Sequence, residues 1–498
     1  MKHYPVWTEK QSSFDFPSLK EDLRTEVVVI GVGITGIQAA YLLAKKGVQV
    51  VLLEKDTIGI GTTGHTTAKL TIQHGLLYHE LIQHFGVENT YRYAKSQTEG
   101  ITEIQKIIKE ESLDCFLQHE DAILYTNDAE NAKKIELELD AYHQIGIDAK
   151  AIESLPFDIP YISGLKISQQ AQFHPLAYLQ GLVKALQQMN VPIYENTLAV
   201  DVVNEPQLVV KTNPYEIKCD HIVVATHFPL YDPLKMFSTK MYPSRSYVTA
   251  FKSNKDFPGG MYLNIDQVKH SLRSFTANEE KLWIFGGEGH DTGKYKESDT
   301  PYSKLISFAE THLPVENWEY QWSAQDYITL DKVPYIGKTN DDDEIYVATG
   351  YRKWGMSTSM VAARLITDLI MGQPNPYKEL YKPTRFHSDP DIKEFMKNAG
   401  TITKEFVQGK FKTNDINLSE LQPGEATKIR DDINIVGVYK DEDHVIHKVD
   451  TTCTHLGCEV NWNGADKSWD CPCHGSRFDI DGQVLEGPAI KPLKKIQD

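Results

Sequence analysis

A doubly wound α/β domain with an α+β domain interleaved in it, followed by a small all-β domain, is the fold class this 498-residue chain predicts. Three observations carry that expectation. A β-branched run, Val27-Val-Val-Ile30, leads directly into Gly31-Val-Gly33-Ile-Thr-Gly36 and then a helical pattern, the order of a parallel βαβ unit. Residues 245–330 are rich in aromatic and β-branched segments, which reads as antiparallel sheet. Beyond Gly372 the composition shifts to Pro374, Pro376, Pro383 and Pro390, then a polar stretch, then short strand and turn patterns from about residue 412.

The elements follow in order. The 27–30 run is apolar throughout, as a strand buried on both faces requires. Residues 37–46 have helical periodicity and end at Gly47, a suitable residue for the position after a helix C-cap. Residues 48–53 form the second strand, closed by Glu54. Helices are expected at 87–111 and 128–145, and a βα pattern at 163–190, where Pro175 suits a first helical turn. A further buried strand is His221-Ile-Val-Val-Ala225-Thr226. A last strand, 344–350, returns into a helix over 356–371. Residues 373–411 read as a linker and 412–498 as the small all-β domain.

The formal net charge is −17 and the pI about 5.5, which excludes nucleic acid and anionic membrane as expected partners. The first residues, MKHYPVWTEK, have no apolar signal core, and no apolar run approaches the ~18 residues of a spanning helix. A cytoplasmic protein with no transmembrane segment is the expectation.

The glycine turn has the context that makes such a motif informative: a strand before it, a helix after it, an acidic residue closing the next strand. Gly31 permits the tight turn, Gly33 lets a pyrophosphate approach the backbone, and Gly36 allows close helix–strand packing. The helix N-terminus presents its positive end to phosphate, and Glu54 can accept hydrogen bonds from ribose hydroxyls. The chain has one such fingerprint, where a flavoenzyme that also bound NAD(P)H would usually show two.

Ala225-Thr226, Asp331-Lys-Val-Pro-Tyr-Ile-Gly337 and Ala348-Thr-Gly350-Tyr-Arg-Lys353-Trp-Gly355-Met356, in that order, resemble the D-amino-acid oxidase superfamily over residues 24–372. That superfamily includes glycine oxidase, sarcosine oxidase and dimethylglycine dehydrogenase. The resemblance implies a Rossmann-like, glutathione-reductase-type FAD-binding domain made of segments 24–85, 163–230 and 331–372. It places Gly31, Gly33, Gly36, Glu54, Thr62, His65, Ala225, Gly350, Gly355 and Met356 at the FAD. Gly61-Thr-Thr-Gly-His65-Thr-Thr-Ala68 is similar to the segment of dimethylglycine dehydrogenases whose histidine carries the flavin covalently. His65 falls on that histidine; the alternative is that it only hydrogen-bonds beside the flavin or within its loop. Glycine oxidase-like members hold the substrate carboxylate with an arginine where this chain has Lys353, with Arg352 beside it. Lys353, Tyr351 and Arg245, with Tyr247, are the candidate substrate-pocket residues, and no acid–base residue is assigned. A small amine or amino acid is the implied substrate.

Four of the six cysteines lie in the last 46 residues, in Cys453-Thr-His455-Leu-Gly-Cys458 and Cys471-Pro-Cys473-His474-Gly-Ser476. Two thiolates and two imidazoles converging from two loops suit a mixed-ligand [2Fe–2S] cluster or a structural zinc. The fifteen-residue gap between His455 and Cys471 and the extra cysteine pair favour the cluster. Both runs resemble the signature of Rieske proteins of the respiratory type. That resemblance implies ligation of one iron by Cys453 and Cys471 and of the other by His455 and His474, with a Cys458–Cys473 disulfide. It also implies a Ser476 hydrogen bond to a bridging sulfide, and a covering loop at Gly487-Pro488-Ala489. Phe478 stands where high-potential members have a tyrosine. Cys115 and Cys219 are isolated and expected to be inert core residues.

The chain therefore reads as a flavoprotein dehydrogenase acting on a C–N bond, fused to its own [2Fe–2S] carrier, which feeds an external electron acceptor. The alternatives are an electron-transfer or redox-sensing protein without amine turnover, and an NAD(P)H-driven reductase.

Overall fold

The computed structural model describes residues 1–9, 14–232, 236–277, 280–295, 300–385, 420–431 and 434–496. Its central element is a six-stranded sheet in the order Tyr335–Lys338, Ile345–Thr349, His221–Val224, Val27–Ile30, Val50–Leu53, Ile193–Tyr194. All neighbours are parallel except the first pair. Alternation explains why the 27–30 run is apolar throughout. Val27 and Val29 face the main core with helices Ile34–Lys45 and Gly355–Ile370, while Val28 and Ile30 face a second core under a four-stranded sheet.

The first helix starts at Ile34 rather than 37, so Gly36 lies inside it. The helix expected from 87 runs from Tyr78 to Glu110 but is broken at Gly86 (φ 76°, ψ 166°). The sequence pattern thus caught the second of two merged helices, and the break sits at a backbone angle that glycine adopts freely.

The second sheet is nine-stranded and mixed. Its spine runs Asn317–Thr329, Met241–Lys252, Glu280–Asp291, His270–Ala277, Met261–Asn264, Gln118–Thr126, Ser163–Gln172. Ser163–Gln172 was expected to enter the nucleotide-binding part; it pairs antiparallel with Gln118–Thr126 instead. The helix Pro175–Gln188 that follows it does pack on the first helix.

The expected linker is also shorter at its start. Tyr377, Leu380 and Tyr381 belong to the main core, and Arg385 clamps Asp331 with bonds of 2.7 and 2.9 Å. Residues 386–419, with the rest of the expected linker, lie outside the described residues. The C-terminal part contains a three-stranded sheet and a four-stranded sheet, Asn461–Asn463, Ser468–Asp470, Arg477–Phe478, Val484–Glu486. Among the described residues no helix is long and apolar enough to cross a membrane.

Candidate redox centre

The glycine turn forms a cradle that no other residue type would leave intact. A Cβ on Gly31 (φ +96°) would lie 2.6 Å from the Ala225 carbonyl oxygen, and one on Gly36 2.0 Å from that of Gly31. Both obstacles are backbone, so neither can swing aside. Gly33 is less crowded: its Cβ would meet Thr63 Oγ1 at 3.2 Å, the hydroxyl that accepts from Ile34 N at 3.1 Å. Glu54 accepts from the amides of Val32 (2.9 Å) and Asp56 (3.2 Å). Burial raises its carboxyl pKa against the pull of those two amides.

This cradle opens on a cavity of about 1640 Å³ lined by Gly31, Gly33, Glu54, Thr62, His65, Ala225, Gly355 and Met356. Gly36 and Gly350 stand behind the wall. Gly350 is a turn residue (φ +74°) whose Cβ would meet Thr329 Cγ2 at 2.3 Å. A glycine-lined turn at a helix N-terminus, with a carboxylate at the end of the next strand, fits the dinucleotide portion of FAD. His65 bonds the Gly61 carbonyl through Nδ1 at 3.0 Å, and burial lowers its pKa.

The two cysteine–histidine runs fold into loops of the same design. Cys453 N donates to Cys458 O and Cys471 N to Ser476 O, both at 2.8 Å. Gly457 N returns to Cys453 O at 2.9 Å and Gly475 N to Cys471 O at 3.0 Å. Each loop turns on its glycine, at φ +81° and +76°. The chemistry follows from that symmetry. The first residue of each loop is a buried free cysteine. The neighbouring Cys471 thiol, with the amides of His455 and Leu456 and the Ser476 hydroxyl, outweighs burial and lowers the Cys453 thiol. The His455 and His474 rings meet edge to face, centroids 5.0 Å apart. Cys458 and Cys473 are joined as a disulfide, S–S 2.09 Å. Ser476 Oγ accepts from Ala489 N at 3.0 Å, tying the Gly487-Pro488-Ala489 loop to the second cluster loop. Two thiols, two imidazoles and a hydrogen-bonding hydroxyl on two equivalent turns fit a [2Fe–2S] centre.

The imidazole side of this centre faces the other half of the molecule. The Phe228 ring lies 5.8 Å from His455 and 5.9 Å from His474. Gln325 Nε2 donates to Gly475 O and Tyr327 Oη to His474 O, both at 2.9 Å. His455, Arg477, Glu486 and Pro488 line the same cavity as Gly31 and Glu54, so one space joins the cradle to the cluster loops. No motif announced His227, Phe228, Gln325 or Tyr327. The available signal was that Phe228 stands three residues after Ala225, too close to leave the cavity rim.

The candidate pocket residues separate. Tyr351 Oη lies 3.0 Å from Thr35 Oγ1, and burial pushes its phenol up. Lys353 Nζ bonds Ser246 Oγ at 2.6 Å, and its amide donates to Asp326 Oδ2. Its side chain is exposed to the cavity, whose enclosing walls bring its ammonium down to about 8. Tyr247 also faces the cavity, its hydroxyl accepting from Asn463 Nδ2 at 3.0 Å. Arg245 was expected in this pocket and does not line it. Sheet register shifts between Arg245 and Tyr247, and the guanidinium goes instead to Asp466 (2.7 Å) and Glu486 (3.4 Å) of the C-terminal domain. Cys115 and Cys219 are buried, which pushes both thiols up to about 12.

A dinucleotide cradle sharing its cavity with a two-cysteine, two-histidine loop pair defines a flavin-dependent oxidoreductase carrying a Rieske domain. The chain belongs to the FAD dependent oxidoreductase family, DAO, whose model matches residues 26–369, and the Rieske [2Fe-2S] domain model matches 412–497. Its cofactors are accordingly FAD and a [2Fe–2S] cluster. Over 493 residues it is 42% identical to the Rieske 2Fe-2S iron-sulfur protein YhfW of Bacillus subtilis (strain 168), covering 98% of this chain and 97% of that one. It is 23% identical to gamma-glutamylputrescine oxidoreductase of Escherichia coli (strain K12), covering 74% and 88%. Glycine oxidase from Geobacillus kaustophilus shares the fold, with a TM-score of 0.62 at 17% identity, over 73% of this chain and 99% of that structure.

Proposed function

We propose that the chain dehydrogenates a C–N bond of a small amine or amino acid and delivers the electrons through its own Rieske cluster to an external one-electron acceptor. The observation that supports this reading best is Phe228, which sits on the cofactor cavity's rim and packs on both cluster histidines. FAD supplies the two-electron acceptor for the substrate, and the cluster a one-electron centre. The residues do the rest. Lys353 presents an ammonium to a substrate carboxylate as a point charge. Asp326 holds the Lys353 backbone, and Ser246 orients its Nζ. Tyr351, pinned by Thr35, lines the cavity between Lys353 and the cradle.

The test is anaerobic titration of the holoprotein with a panel of small secondary and tertiary amines and amino acids, following flavin absorbance and low-temperature EPR together. Flavin bleaching accompanied by a Rieske-type signal is expected. Bleaching without that signal would remove the internal route. No bleaching by any amine would leave an electron-transfer or redox-sensing protein, which the loss of the pocket arginine at Lys353 would then explain.

A further inference from the structure

Four charged side chains close a ring across the interface between the two halves. Arg245 pairs with Asp466 at 2.7 Å and Glu486 at 3.4 Å; Arg477 pairs with the same two carboxylates at 2.8 and 3.2 Å. Arg477 also holds Asp470 at 3.0 Å. Three members are buried, with side-chain exposures of 1% for Arg245, 7% for Arg477 and 10% for Asp466, while the exposed third of Glu486 faces the cavity. Burial alone would raise both carboxyls, yet Arg245 and Arg477 hold Asp466 and Glu486 at about 2. Only Arg245 comes from the oxidoreductase half.

The ring is attached to the parts of the Rieske domain that carry the cluster. Arg477 follows Ser476 of the second cluster loop, and Glu486 precedes the Gly487-Pro488-Ala489 loop. The two halves approach closely around it. A Cβ on Gly475 would fall 2.6 Å from Gln325 Nε2, and one on Gly293 (φ +71°) 2.7 Å from the Asp470 oxygen. A carrier that swings between partners must leave its interface at little cost. Undocking here would part Arg245 from Asp466 and Glu486 and break the hydrogen bonds of Gln325 and Tyr327 to the second cluster loop. Removing the Arg245 charge from the docked state would leave buried carboxylates short of a partner, which is strongly unfavourable.

We propose that Arg245 is a positioning residue that locks the Rieske domain onto the oxidoreductase, so that the cluster exchanges electrons with the flavin at one fixed geometry rather than by swinging on its linker. The inference rests on the flavin-to-cluster route proposed above, in which each transfer moves one electron from reduced flavin to oxidised cluster. It adds that the external acceptor meets a docked domain.

The test uses the full-length holoprotein with a deazaflavin photoreductant, so no amine substrate is needed. The flavin is reduced by a flash under anaerobic conditions, and cluster reduction is followed optically. Small-angle scattering of the same samples reads domain separation. In the wild type the transfer is expected to be first order and independent of protein concentration, with a compact scattering profile. Arg245→Met is expected to slow transfer at least tenfold and to enlarge the radius of gyration. Asp466→Asn, which keeps the shape and removes one charge, is expected to do the same more weakly, and it decides the matter if Arg245→Met does not fold. A variant that loads both cofactors, stays compact and transfers at the wild-type rate overturns the inference. Absence of transfer in the wild type would instead overturn the route on which it rests.

Discussion

Tyr327 Oη donates a 2.9 Å hydrogen bond to the backbone carbonyl of His474, so a residue of the oxidoreductase sheet holds the main chain of a cluster-loop histidine. Tyr327 also packs on Phe228 (5.3 Å) and His227 (4.7 Å), and it is 1% exposed. Its hydroxyl therefore serves the interface, not solvent.

Tyr327→Phe keeps the ring and removes the donor of a buried hydrogen bond. Such a loss costs about 1–3 kcal/mol. The expected result is a lower thermal midpoint for the Rieske domain, read by loss of the cluster's visible absorbance, with flavin content unchanged. An unchanged midpoint would show that the His474 carbonyl is satisfied from elsewhere.

Gly36→Ala should abolish flavin binding more completely than Gly33→Ala. The Gly36 Cβ would lie 2.0 Å from a backbone oxygen that has nowhere to go, whereas the Gly33 Cβ would lie 3.2 Å from a side-chain hydroxyl that can rotate. The ratio of flavin to protein absorbance after purification reads the difference. Retained cluster absorbance in Gly36→Ala would show that the C-terminal domain folds without the cofactor next door. Equal flavin content in the two variants would contradict the packing argument.

The parts of this site legible in sequence were those fixed by local chain geometry. The glycines between Gly31 and Gly36, the acidic residue at Glu54 and the two cluster loops each place their groups within a few residues of one another. Arg245 was misplaced because its direction depends on a register shift between sheet strands, which no local pattern encodes. Phe228, Gln325 and Tyr327 went unseen for a related reason. Their partners lie about 150 or more residues away in sequence, and an interface between two domains leaves no periodicity in either. Ser163–Gln172 has the same strand pattern in either sheet, so only its partner decides where it goes.

Phe478 is fully buried in the same apolar cluster as Cys453, Cys471 and Trp469. Replacing it with tyrosine would add a hydroxyl to the apolar cluster that holds the cluster cysteines. A donor to a ligating sulfur withdraws charge from the cluster and stabilises its reduced form. Phe478→Tyr is expected to raise the midpoint potential in an EPR-monitored redox titration. A lower or unchanged potential would mean that the hydroxyl turns to another acceptor.

Lys353 sets a pH limit on substrate binding. Its side chain is exposed to the cavity, and the enclosing cavity walls bring its ammonium down from the ordinary lysine value to about 8 against the opposing pull of Asp326. If the protonated form holds a substrate carboxylate, affinity for carboxylate-bearing amines should fall as pH rises through about 8, with amines lacking a carboxylate unaffected. Stability runs the other way. Between about 8 and the unfolded value near 10.4 the unfolded chain carries a proton that the folded one has lost, so this group makes stability rise with pH in that window. Lys353→Arg keeps the charge throughout and should move the binding limb out of the accessible range. Lys353→Met should remove carboxylate selectivity at every pH. Apparent affinities for matched amines with and without a carboxylate, measured from pH 6.5 to 9.5 in the three proteins, separate these outcomes. A limb that persists in Lys353→Arg would assign the titration to another group, and loss of carboxylate-bearing amines alone in Lys353→Met would fix Lys353 as their anchor.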